Sequence, residues 1–326
     1  MEQPWLAHYP PNVAASIDCN AYASLLPLFT ETCQRFTHEI AYENFGTPLS
    51  YQELYDNSTH LAAYFQSLGL SPGARIAIMM PNLLQYPIAI FAILRAGFVV
   101  TNINPLYTPY ELANQLNDSG AEVLIVLDHF AHTVQAALPH ISVKQVLITQ
   151  LGDYFPTWKR WLSQLMMQYF KKMIPAYQIP TAQTWRNALQ EGRSKPFTHF
   201  EAQHDTLAFL QYTGGTTGIS KAAMLTHKNI LANLLQATEW ISPIGLDHTD
   251  IAVTALPMYH IFSLTANCLV FLKIGAKNIL ITNPRDISHF IKTIRKAGFT
   301  TITGVNTLFN TLLHHPDFDK IDFSHL

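Results

Sequence analysis

From residue 49 to residue 149 the chain alternates apolar patterns of helical and strand period, each bounded by glycine, proline or a polar turn. This alternation constrains the fold more than any other feature of the sequence. A helical pattern opens at residues 49–54, carries apolar Leu54, Leu61, Ala62, Phe65 and Leu68, and stops at Gly69. After Ser71, Pro72 and Gly73, residues 75–80 read as a buried strand ending at Pro81. Residues 86–96 read as a buried helix closed by Gly97, and Phe98, Val99 and Val100 begin another strand. Residues 109–119 read as a helix with Gly120 at its C′ position, where the left-handed conformation suits glycine. Strands at 123–127 and 145–149 follow. Strands separated by helices imply a layered, largely parallel α/β sheet. The G-x-G-x-x-G turn of dinucleotide-binding units is missing after the first of these strands.

Composition narrows the function classes. The 326 residues are 48% hydrophobic, carry a net charge of −2 and contain only 13% charged residues, well below the roughly 25% usual in soluble domains. Such a chain is not disordered, and without a clustered basic surface nucleic acid is excluded as the main partner. The length suits about two domains. The N-terminus lacks the basic stretch and apolar run of a secretory signal, and the longest apolar runs, at 86–94 and 261–272, fall short of the ~18 residues that a spanning helix needs. Cys19, Cys33 and Cys268 form no paired motif, which points to a cytoplasmic protein with reduced thiols. None of the 15 histidines belongs to an HExxH motif, so surface or loop positions are expected for them.

Two further stretches stand out. Between residues 155 and 180, Trp158, Trp161, Leu162, Leu165, Met166, Tyr169, Phe170 and Met173 recur at helical spacing, Lys159, Arg160, Gln164, Lys171 and Lys172 lie opposite, and no acid interrupts them. This pattern suits a helix lying in a membrane interface, and equally a helix packed on the body with a solvated basic face. Residues 180–196 are polar and turn-rich and read as a crossing between lobes.

The chemistry concentrates at residues 206–240. A strand-like run from Leu207 to Tyr212 ends on Thr213, Gly214, Gly215, Thr216, Thr217 and Gly218, closed by Ser220 and Lys221. Glycines let backbone N–H groups approach an anion, threonine hydroxyls donate further bonds, and the Lys221 ammonium reaches phosphate oxygens. A tight turn alone needs neither the three threonines nor the lysine. The loop is not the P-loop of NTPases, because Lys221 enters a strand-like segment (residues 222–225) and a helix starts only after Thr226, a suitable N-cap.

The string YTGGTTGISKAAMLTHKN at residues 212–229 resembles the phosphate-loop signature of the adenylate-forming superfamily. Residues 91–126, 255–271 (ALPMYHIFSLTANCLVF), 278–287 (NILITNPRDI) and 302–313 (ITGVNTLFNTLL) resemble bacterial long-chain fatty-acid–CoA ligases, in the same order and over nearly the whole chain. The resemblance implies the α/β N-terminal domain of those enzymes: a first lobe at 1–198 and part of a second at 199–326 containing the phosphate loop 212–221. It implies formation of an acyl-adenylate from ATP and a fatty acid, followed by displacement of AMP by the CoA thiol. On that basis Thr213, Gly214, Gly215, Thr216, Thr217, Gly218 and Lys221 hold phosphates, and Thr216 and Thr217 help to site Mg²⁺. Lys221 and His260 are the catalytic candidates, and Tyr259, His260, Gly304, Val305 and Thr307 border the acyl and adenylate pocket.

For His260 a buried histidine bonded to a backbone carbonyl is the alternative, and Thr307 and Phe309 equally suit a core. Ala222 stands where the family usually has glycine, which would crowd the loop if that position needed a positive φ. Family members extend well beyond the region matched here, so the expectation is an N-terminal portion, lacking the C-terminal domain and inactive alone. Expected partners are the fatty acid, ATP and CoA, a membrane surface met through Trp158, Trp161, Lys171 and Lys172 on the inner face of the cytoplasmic membrane, and a second copy in a homodimer. Two other readings stay open: a non-catalytic lipid- or nucleotide-binding module, and an adenylation enzyme loading a carrier protein.

Overall fold

The computed structural model describes residues 3–165, 174–213 and 220–326. The strands are β1 (Ile40–Asn44), β2 (Thr47–Ser50), β3 (Arg75–Met79), β4 (Val99–Asn102), β5 (Ala121–Leu127), β6 (Gln145–Thr149), β7 (Ala182–Thr184), β8 (Leu207–Thr213), β9 (Lys221–Thr226), β10 (Ile251–Thr254), β11 (Lys277–Leu280) and β12 (Thr301–Thr303). The main helices are α1 (Leu25–Arg35), α2 (Tyr51–Ser67), α3 (Gln85–Arg95), α4 (Pro109–Ser119), α5 (Ala131–Ala137), α6 (Thr157–Leu165), α7 (Trp185–Arg193) and α8 (His227–Ile241). A composite helical run follows, with α9 (Ile261–Ser263), a π-helical stretch (Leu264–Val270) and α10 (Phe271–Ile274), then α11 (Ile287–Ile294) and α12 (Asn306–Leu313).

Local chemistry accounts for the early elements. Ser50 and Glu53 cap α2 reciprocally, Thr108 and Glu111 do the same for α4, and Pro109 takes the first turn where its missing N–H costs nothing. Gly120 ends α4 at φ +62°, as its C′ placement requires. Every residue of α3 is buried, which explains a sequence that is apolar on all sides. Among the described residues no helix is long and apolar enough to cross a membrane.

The strands form two sheets. One has the order β7-β6-β5-β3-β4-β8-β9, parallel except for the β8–β9 hairpin; the other has the order β12-β10-β11-β1-β2, parallel except for β1–β2. A cut at residue 198 therefore passes through both sheets. The hairpin at residues 40–50 joins the second sheet beside β11, whereas β8 and β9 complete the first. One apolar core also serves both, running from Ile76, Ile78 and Phe91 to Tyr42, Leu264, Cys268 and Leu280. Hydrophobic periodicity reports that a strand is buried and is silent about which sheet takes it.

Residues 180–196 are not a crossing loop. They contain β7 and α7, with Trp185, Ala188, Leu189 and Gly192 buried at i, i+3, i+4 and i+7. The stripe is narrow and the other positions are polar, which hides the helix in a composition reading. Gly192 brings α7 against α2 so closely that a Cβ there would lie 1.8 Å from the His60 carbonyl oxygen.

Helix α6 sits the opposite way round from a helix packed through its aromatic side. Trp158 and Trp161 are 71% and 70% exposed and Leu162 is half exposed, while Lys159 turns inward, donates to the Phe45 carbonyl and lies over the Phe155 ring at 4.5 Å. Met166, Tyr169, Phe170, Lys171, Lys172 and Met173 fall outside the described residues.

Candidate functional site

β8 rises out of the first sheet: Ala208, Phe209, Leu210 and Gln211 are buried, Tyr212 is half buried and Thr213 is exposed. Antiparallel pairing sets Thr213 directly opposite Lys221, and the Ser220 hydroxyl donates to the Thr213 carbonyl at 3.1 Å. An exposed threonine and an exposed lysine thus flank the two ends of the glycine-threonine segment. Gly214, Gly215, Thr216, Thr217 and Gly218 lie outside the described residues. Beyond Lys221 the chain runs through β9, and α8 begins at His227 behind the Thr226 cap. An anion held by this hairpin would therefore rely on loop N–H groups, hydroxyls and the ammonium rather than on the dipole of α8.

Ala222 fits without strain. It lies in β9 opposite Tyr212, and Phe45 is the one described non-glycine residue with positive φ. Its Cβ therefore sits on ordinary extended backbone.

The second motif, residues 255–260, leaves the C-terminal end of β10 and is held from the first sheet. Asn82, just beyond β3, donates to the carbonyls of Thr254 (3.1 Å) and Leu256 (2.9 Å) and accepts the N–H of Met258 (2.8 Å). Gln211 donates to the Tyr259 carbonyl at 3.0 Å. His260 closes a turn onto Pro257 and stands at the N-terminus of the composite helical run with its side chain exposed. It is not a buried, structurally satisfied histidine. Burial pushes the Tyr259 phenol up, and Arg285 pulls it down to a smaller degree.

β12 lies parallel to β10 with Thr303 beside Thr254, so residues 304–307 depart from the same end of the sheet as residues 255–260. The Thr303 hydroxyl and the Ser263 hydroxyl both meet the Asn267 side-chain oxygen, which ties the two segments to the π-helical stretch. Gly304 is half buried beneath Phe309, whose ring atom Cζ would lie 2.8 Å from an added Cβ. Val305, Thr307 and Phe309 are exposed, so Thr307 and Phe309 are not core residues. The segment after β8, the His260 segment and the 304–307 segment all follow the carboxyl ends of parallel strands, where open α/β sheets bind ligands.

Sequence reasoning missed the buried amides Asn82, Asn102 and Gln211 that fasten these parts. The signal was a polar residue at or just beyond an otherwise apolar strand run, which an alternation count scores as noise. Among the described residues no group of three or more His, Cys, Asp or Glu is arranged to hold a metal ion.

Residues 29–326 match the model of the AMP-binding enzyme family, and the chain belongs to that family. It is 48% identical over 327 aligned positions to the long-chain-fatty-acid–CoA ligase of Salmonella typhimurium, covering the whole of this chain and 58% of that protein. The chain thus spans a little over half the length of the curated relatives it matches. Two crystal structures share the fold. An anthranilate CoA ligase in complex with anthranoyl-AMP superposes with a TM-score of 0.79 at 18% identity, over 95% of this chain and 55% of the other. A long-chain-fatty-acid–CoA ligase from Archaeoglobus fulgidus gives 0.74 at 23% identity, over 98% and 57%.

Proposed function

We propose that this chain carries the phosphate-binding and carboxylate-facing parts of a long-chain fatty-acid–CoA ligase. The observation that carries the reading is the pairing of Thr213 with Lys221 at the mouth of the glycine-threonine hairpin, in a chain nearly half identical to such ligases. In the reaction a fatty-acid carboxylate oxygen attacks the α-phosphorus of ATP, the bond to the β-phosphate oxygen breaks, and pyrophosphate leaves. The CoA thiolate then attacks the acyl carbon and AMP departs. Lys221, Thr213 and the donors of Gly214, Gly215, Thr216, Thr217 and Gly218 offset charge that builds on the leaving pyrophosphate, a task of positioning and electrostatics.

Mg²⁺ arrives as part of the nucleotide substrate. Phosphate-bound Mg²⁺ takes few protein ligands, and the hydroxyl donors Thr216 and Thr217 suit that role better than a carboxylate cage. Tyr259, His260, Gly304, Val305 and Thr307 border the acyl carboxylate and the adenylate. Oleate- and CoA-dependent AMP release, measured on the product of the complete open reading frame, tests the reading. Loss of at least tenfold in kcat with Lys221→Ala supports it, and release dependent on an aromatic acid or amino acid but not on oleate contradicts the substrate class.

We further propose that α6 meets the inner surface of the cytoplasmic membrane. Its outward Trp158, Trp161 and Leu162, together with Lys171 and Lys172 further along an acid-free sequence, support this. Co-sedimentation with anionic vesicles should fall when Trp158 and Trp161 become alanine; unchanged binding would reject the contact.

A further inference from the structure

A line of buried polar side chains runs from α3 over the adjacent strands β4 and β8 and ends one residue before His260. The Tyr86 hydroxyl donates to Asn102 Oδ1 (2.7 Å), Asn102 Nδ2 donates to Gln211 Oε1 (3.0 Å), and Gln211 Nε2 donates to the Tyr259 carbonyl (3.0 Å). Gln115 Nε2 holds the backbone carbonyl of Asn102 at 2.9 Å. The direction of the line is fixed by its last member. A carbonyl only accepts, so Gln211 must present its amino group to Tyr259, its oxygen must face Asn102, and Asn102 must offer its own oxygen to Tyr86. Gln211 and Asn102 are 4% and 3% exposed, on strands whose Ala208, Phe209 and Val100 are fully buried. Aliphatic side chains would fill this interior without the desolvation that amides suffer, so the line confers geometry more than stability.

Gln211 stands two residues before Thr213 on β8. The strand that delivers the phosphate hairpin therefore also grips the backbone that delivers His260, and Asn82 holds the same backbone at Leu256 and Met258. We propose that Gln211 is a positioning residue that sets the spacing between the two halves of the site. What the halves bind rests on the function proposed above; the grip itself does not.

Two variants test it on this chain. Gln211→Leu removes both bonds. Gln211→Glu keeps them only when protonated, since a carboxylic acid donates to Tyr259 and accepts from Asn102, whereas a carboxylate faces a carbonyl oxygen with no proton. Without ligand, hydrogen-exchange protection across residues 255–264 should fall at least tenfold in Gln211→Leu while β3 and β5 keep theirs. In Gln211→Glu, protection corrected for intrinsic exchange should be near wild type at low pH and be lost as pH rises. With MgATP, the ring resonance of His260, assigned with His260→Gln, should shift in wild type. In Gln211→Leu that shift should fall by more than half while MgATP affinity stays within threefold.

Unchanged protection in both variants overturns the proposal, as does lost protection with an undiminished His260 shift. If Gln211→Leu does not fold, the pH dependence within Gln211→Glu decides the matter. If wild type shows no response to MgATP, the phosphate reading fails and Gln211 has no site to position, whereas protection still reports whether the grip exists.

Discussion

The block formed by β3–β6 with α2, α3 and α4 and the end of the second sheet around β12 and α12 are built differently. In the first, α2 and α4 carry capping boxes, α3 is buried on every side, and Phe91 stacks on Phe29 with centroids 3.8 Å apart. In the second, α12 buries only Leu312, and Val305 and Leu313 are 52% and 59% exposed beside a β12 that is half buried throughout. The first region buries its apolar residues in the core that both sheets share. The second leaves apolar side chains exposed on the segment that follows the carboxyl end of β12, beside β10.

The contrast predicts a graded response to substitution. Gly192→Ala should have the largest effect, because the new methyl overlaps the His60 carbonyl and α7 must move off α2. A loss of about 5 kcal/mol is expected in urea unfolding, or failure to fold. Phe91→Ala should cost about 3–4 kcal/mol by opening a cavity in the closed block, whereas Phe309→Ala at the open end should cost under about 1 kcal/mol. Equal losses for the two phenylalanines would erase the contrast.

A pH measurement sharpens it further, because two buried groups pull in opposite directions. His227 accepts the N–H of Leu25 at 3.3 Å, and burial pushes it down from 6.5 to about 4. The unfolded chain takes up that proton first, so stability is lost as pH falls from about 6.5 and levels off below about 4. Asp153 accepts from Thr149 and from the Gln150 N–H, yet burial dominates and pushes it up from 3.8 to about 6. The unfolded carboxyl ionises first, so stability is lost as pH rises from about 3.8 to about 6. Between pH 4 and 6 the two contributions largely cancel. His227→Gln should leave a stability that falls with rising pH and Asp153→Asn one that rises, each by up to about 3 kcal/mol across the window. Parallel slopes in the two variants would contradict the assignment.

Much of the fold was legible because the closed block obeys local rules. Ser50 with Glu53, Pro109 with Gly120, and the apolar runs of β3 and β5 each announce an element through chemistry confined to a few residues. Sheet membership was not legible. β1 pairs with β11 more than 230 positions away (Tyr42 with Asn278, Asn44 with Leu280), and no local pattern encodes that partner. α7 escaped because its inward stripe is narrow, and the inward turn of Lys159 on α6 reverses the usual sense of an amphipathic helix. At the candidate site, Thr213, Lys221 and His260 stood out as reactive residue types at informative spacing. Gln211, Asn102 and Asn82 did not, because an amide looks the same in a sequence whether it faces water or fastens two segments in a core.

The central claim is that the β8–β9 hairpin holds nucleotide phosphates through Lys221, and calorimetric titration with MgATP tests it most directly. Lys221→Ala should weaken MgATP binding at least tenfold, pyrophosphate should compete with MgATP for the site, and the unfolding midpoint should stay within experimental error because the side chain is exposed. Equal affinity in wild type and Lys221→Ala, or binding that pyrophosphate does not displace, would contradict it.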